Sequence, residues 1–309
     1  MTQSGSKSKT SKHSDSTQYV ENSYKQRYYM AMKEIRYPAL PISGLSGSTI
    51  KYIGLVMMVF DHLYQMFGSQ GIPQWFHWIG RPVLPVFLFA CVEAFWYTRS
   101  RSKYMLRLFI GFELMNIASL ALSNYLPVDN VELANNVFQT LLLAALYMLF
   151  IEMLKAGIRE KHILKTAAAI VLILLPIAVG VLLLFLLPAF PYWLKVFCLF
   201  IPNLLFTEGG FTAVILGVLF YLFRKKRLIQ VLIIAAFSIL SIILTLTRGA
   251  NLFSDNPQWL LIFAIILILL YNGKRGQGNK YFFYIFYPAH IYLFYICAWV
   301  IVTHGTSHA

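Results

Sequence analysis

Apolar residues in this chain gather into long runs, near 49–67, 82–98, 104–122, 136–152, 165–187, 208–223, 228–247, 257–271 and 281–302. Runs of roughly 17 to 25 such residues are long enough to cross the hydrocarbon of a bilayer. The pattern predicts an all-α fold, a polytopic integral membrane helical bundle of about nine transmembrane helices. A further apolar stretch at 190–206 would make ten, but Pro188, Pro191 and Pro202 flank and interrupt it. It reads better as a re-entrant or interfacial piece, which a membrane tolerates where protein covers the broken backbone.

The polar positions between the runs set the expected orientation. With 190–206 not crossing, the loops 99–107, 155–165, 224–227 and 274–280 share one side and hold 4, 4, 4 and 3 Lys/Arg. The opposite loops, 68–81, 123–135, 188–207 and 248–256, hold 1, 0, 1 and 1. The positive-inside bias then places the N-terminus in the cytoplasm and the C-terminus outside, in a cell (cytoplasmic) membrane. Three regions follow: a flexible basic tail over 1–46 without a signal peptide's apolar core, a membrane domain over 47–303, and a short extracytoplasmic tail over 304–309.

Composition changes this picture little. Of 309 residues, 59% are apolar and 12% charged, and the formal net charge of +14 lies in the tail and in the short inter-span clusters. No nucleic-acid partner is needed to explain it. Cys91, Cys198 and Cys297 fall within apolar runs and read as small buried hydrophobes, with no disulfide framework and no metal site.

Polar residues inside the runs are the informative ones, because burying an ionisable group in hydrocarbon costs a few kcal/mol even on lenient insertion scales. They are Asp61, His62, Glu93, Glu113, Asn116, Glu208 and His290. Glu113 and Asn116, three apart on one helix face, suit interhelical hydrogen bonds. The others are candidates for a functional interior. Lys51 precedes His62 by eleven residues. At about 100° per residue this puts both on one face, roughly 20° off register and ~16 Å apart along the axis. A cytoplasmic donor with a phosphate-rich head and a long thin arm fits that spacing, and acyl-coenzyme A has that shape.

Five blocks carry a family resemblance over about residues 50–297: "KYIGLVMMVFDH", "IGRPVLPVFLFACVEAFWYTRSRSKYMLRL", "NNVFQTLLLAALYMLF", "EGGFTAVILGVLFYLFR" and "KYFFYIFYPAHI". In order and spacing they resemble the TraX family, whose best-known member acetylates the N-terminus of conjugative pilin. The first two blocks are also similar, more loosely, to the membrane acyltransferases that acetylate surface glycans. There an Arg stands at the same spacing before the first-span His, and this chain has Lys51 in its place.

The resemblance implies an enzyme, an acyltransferase that moves acetyl from acetyl-coenzyme A to an extracytoplasmic acceptor, a pilin-like protein, surface glycan or peptide. His62 would be the general base, with direct transfer and an acetyl-imidazole intermediate both open. Asp61 or Glu93 would hold the imidazole in its useful tautomer, and His290 and Glu208 complete the catalytic candidates. Lys51, Arg99, Arg101 and Lys103 would bind the donor's phosphates. The competing reading is a proton-coupled transporter or flippase for a surface-polymer precursor, in which the same intramembrane groups form a proton relay. No internal repeat supports it.

Overall fold

The computed structural model describes residues 44–128, 131, 133, 136–204 and 207–305. The compact unit begins at Leu45, and the tail expected over 1–46 lies almost wholly outside the described residues.

Among the described residues the chain is helical, with no strand beyond an isolated bridge between Leu45 and Tyr271. The helices are α1 (Gly47–Phe67), α2 (Trp75–Gly80), α3 (Val83–Tyr97), α4 (Arg101–Tyr125), α5 (Val137–Arg159), α6 (Ile163–Leu186) and α7 (Tyr192–Leu199). After these come α8 (Gly210–Leu222), α9 (Arg227–Thr247), α10 (Ala264–Leu270) and α11 (Lys280–Gly305), with a 3₁₀ stretch at Pro257–Phe263 leading into α10. Six of these segments are long and apolar enough to cross a membrane: α2 with α3, α4, α5, α6, α9 and α11. The helix α1 has 21 residues but carries Lys51, Asp61 and His62, and α8 and Pro257–Leu270 are shorter apolar pieces. Among the described residues of 190–206 the only helix is the eight-residue α7, which at 1.5 Å per residue reaches ~12 Å, short of a crossing.

Local sequence explains the helix starts. The Ser46 hydroxyl accepts from the Thr49 amide at the head of α1, and Ser100 does the same for Lys103 at the head of α4. Pro85 sits in the first turn of α3, where its missing N–H has no helical partner to lose.

Burial sorts the helices into layers. Most of the apolar stretch of α5 and of α2 with α3 is buried, 67% and 61%, against 17–28% in α4, α6, α9 and α11. The first pair form the centre, and the others present Leu, Ile, Val and Phe outward, as a lipid-facing layer requires. Cys91 and Cys198 are buried, but Cys297 is exposed on α11, contrary to its expected burial.

The helices α1 and α11 run parallel. Tyr52 packs on Phe283 with ring centroids 4.9 Å apart, His62 meets His290 at 4.9 Å, and Phe67 meets Phe294 at 6.3 Å. Both therefore start at one end of the bundle. The same end gathers the basic turns: Gly47 and Ser48 donate to the carbonyls of Lys274 and Arg275, Arg227 donates to the Tyr271 carbonyl, and Arg101 pairs with Glu152. This is the arrangement expected from the charge count.

Candidate functional site

His62 lies fifteen residues along α1, 2% exposed, facing α11. Its Nδ1 is 2.7 Å from Nε2 of His290. Nδ1 of His290 is in turn 2.7 Å from the carbonyl oxygen of Phe286, one turn earlier on α11. A carbonyl only accepts, so His290 Nδ1 carries hydrogen and donates to it. In the neutral ring His290 Nε2 is then an acceptor, and His62 Nδ1 must be the donor to it. The order of hydrogen bonds leaves the proton-accepting lone pair of His62 on Nε2.

Around this pair stand further polar groups. Tyr287, one turn before His290, is 6.1 Å from the His62 ring by centroids. Its hydroxyl accepts from the Val137 amide at 3.1 Å and donates to Glu208 Oε2 at 2.9 Å. The Glu208 carbonyl accepts from Thr140 at 2.9 Å, and Gln139 holds the Asn203 carbonyl at 3.0 Å. The polar first turn of α5 thereby holds the carbonyls of Asn203 and Glu208, and Tyr287 of α11 meets the Glu208 carboxylate. Asn116 joins the same network, donating to the Leu199 carbonyl and accepting from Asn136, in the interhelical role expected of it.

Asp61, next to His62 in sequence, points about 100° away on the helix. Its hydrogen bonds go to α2 and to the link that follows it: His77 Nδ1 donates to Oδ1 at 2.7 Å, and Arg81 Nη2, just past the end of α2, donates to both oxygens at 2.7 Å. A Cβ at Gly80 would collide with the Asp61 side chain, so this contact needs a glycine there.

Glu93 is not brought to His62. It sits twelve residues, ~18 Å, along from Arg81, near the C-terminal end of α3. There Tyr271 donates to it at 3.3 Å, and Arg224 faces it at 3.9 Å. The imidazole is therefore held by His290, and not by Asp61 or Glu93 as the sequence suggested, because each carboxylate already serves other cations. Among the expected donor-binding residues, Lys51 lies over the Phe283 ring at 4.3 Å, on the α1 face that meets α11. Arg101 is taken by Glu152 and stacks over Phe95, while Arg99 and Lys103 are exposed.

His77, Arg81 and Tyr287 escaped the sequence reading. The first two fall in the loop 68–81 of the apolar-run pattern, although four-residue spacing in "HWIGR" puts both on one helix face. Tyr287 lies three before His290, hidden among the aromatics of "YFFYIFYPAH". A cavity of about 480 Å³ between α5, α6 and α8 is lined by apolar side chains such as Ile177, Leu184, Phe211 and Val218 and by none of these ionisable groups. Its chemistry suits hydrocarbon and not the site.

Fold and site together define a polytopic helical membrane protein with a histidine pair and a carboxylate–arginine cluster inside the bundle. The pattern that describes the family called TraX protein matches residues 46–298, and the chain belongs to the TraX family. It is also similar to the "Probable fimbrial assembly protein FimC, serogroup H1" of Dichelobacter nodosus, with 26% identity over 260 residues, covering 80% of this chain and 93% of that protein. No solved structure matches.

Proposed function

We propose that this chain is an acetyltransferase of the cell membrane. It takes acetyl from acetyl-coenzyme A at the end where the basic turns gather, the cytoplasmic end, and passes it to an amine or hydroxyl of an extracytoplasmic acceptor. The observation that carries the reading is the hydrogen-bond order Phe286 carbonyl, His290, His62, which leaves His62 Nε2 as a base in the bundle interior. The association of the TraX family with pilin acetylation, and the fimbrial assembly named for the relative, favour a pilin-like acceptor over a surface glycan.

In this reaction the acceptor's lone pair attacks the thioester carbonyl while His62 Nε2 takes the acceptor's proton. The C–S bond breaks, the thiolate leaves, and the proton on His62 passes to it, giving coenzyme A and the acetylated acceptor. His290 keeps Nδ1–H of His62 bonded throughout, so the imidazolium formed midway does not have to reorient. Lys51, ~16 Å nearer the basic end on the same face, suits the distal, anionic part of the donor.

Calorimetric titration of the purified protein in neutral detergent with acetyl-coenzyme A tests the reading. Saturable binding is expected, with coenzyme A released on addition of a peptide bearing the mature N-terminus of a fimbrial subunit. A proton-coupled transporter needs no such ligand, and absence of binding would overturn the proposal.

A further inference from the structure

The turn "RKKR" between α8 and α9 divides its four cations. Lys225 and Lys226 are exposed, as positive-inside anchoring demands, but Arg224 is 3% exposed and Arg227 is half-buried. The two arginines turn inward, toward Glu93 and Tyr271. Arg224 packs its guanidinium on the face of Trp96, 3.9 Å from the ring centroid, and Arg227 lies over Tyr271 at 5.2 Å while donating to its carbonyl. Glu93 Oε1 is 3.9 Å from Arg224 Nη1, an ion pair beyond hydrogen-bond reach. Both Nη atoms of Arg224 are buried, and neither has an acceptor within hydrogen-bond distance among the described residues.

We propose that Arg224, with Arg227 beside it, anchors a phosphate-bearing group that enters from the basic end of the bundle. Under the acetyltransferase reading, on which this assignment of the donor rests, the group is the diphosphate of coenzyme A. A planar guanidinium with two outward N–H groups matches two phosphate oxygens, whereas an ammonium offers only a point charge. Trp96 holds the guanidinium plane from one side, leaving its N–H edge for the anion. It stands in the last full turn of α3, before the non-helical link 98–100. Anchoring alone accounts for the two exposed lysines and not for Arg224, buried on Trp96 with Glu93 3.9 Å away.

The test uses the full-length protein in neutral detergent with two probes, acetyl-coenzyme A and phosphatidylglycerol, since a lipid headgroup presents the same phosphate chemistry. Arg224→Gln is expected to weaken acetyl-coenzyme A binding about tenfold or more, with Arg224→Lys in between. Lys225→Gln with Lys226→Gln should change it less than about threefold, as expected for exposed charges. Should Arg224→Gln not survive purification, Arg227→Gln and Trp96→Ala carry the same expectation. If wild-type protein binds phosphatidylglycerol in an Arg224-dependent way and does not bind acetyl-coenzyme A, the phosphate site stands and the acetyltransferase reading falls. If the variants bind both probes as tightly as wild type, or wild type binds neither, the phosphate site is wrong.

Discussion

His62 and Asp61 are neighbours in sequence and belong to different networks. Asp61 is bound by His77 and Arg81 and makes no hydrogen bond to His62, so its first role is to join α1 to α2 and the link before α3. Asp61→Asn removes the anion from beside Arg81. With both side chains only 13–14% exposed, a loss of about 1–3 kcal/mol is expected, read as lower thermal stability in detergent. Acetyl transfer by the folded fraction should remain well above that of His62→Ala; equal losses would return Asp61 to the reaction. In the proposed acetyl transfer, His290 acts through His62. His290→Ala frees the His62 tautomer and should cost about tenfold or more in kcat, short of the ~10²–10⁴-fold expected for losing the base. His290→Gln, whose amide oxygen can accept from Nδ1–H, should recover much of that. A role in packing alone predicts no such recovery.

At the scale of elements, most of the bundle was legible in the apolar runs. Expected spans at 82–98, 228–247 and 281–302 correspond to Val83–Tyr97, Arg227–Thr247 and Lys280–Gly305, because length and hydropathy alone define a membrane helix. Around the prolines of 190–206 the described residues hold only the eight-residue α7. What stayed hidden was which helix faces which. His62 and His290 are 228 residues apart, and periodicity within α1 cannot say that α11 is its neighbour; the sequence offers only the nearer carboxylates as partners. The inward turn of Arg224 was hidden for the same reason: a basic turn looks alike whether its side chains face water or the core. Parallel packing of α1 and α11 makes a direct prediction. In a background lacking Cys91, Cys198 and Cys297, Tyr52→Cys with Phe283→Cys should cross-link readily through a short bifunctional reagent, and Tyr52→Cys with Ile301→Cys should not. The reverse pattern would mean antiparallel helices.

At the scale of the whole molecule, the Arg224–Glu93 group and the His62–His290 pair lie at different depths, the first at the basic end and the second toward the other. The parallel course of α1 and α11 puts their starts at the basic end and Thr303 at the far end. A C-terminal alkaline phosphatase fusion should accordingly be active, and an inactive one would reverse the assigned orientation. The central claim is that acetyl passes from a donor on the cytoplasmic side to an acceptor on the other, with His62 as base. Sealed inverted membrane vesicles measure this directly, with labelled acetyl-coenzyme A outside and a peptide carrying the mature N-terminus of a fimbrial subunit trapped within. Wild-type vesicles should label the trapped peptide, and His62→Gln, which keeps size and polarity, should lower the rate by ~10²-fold or more at equal protein level. Near-wild-type labelling by His62→Gln, or no labelling by wild type, would contradict the account.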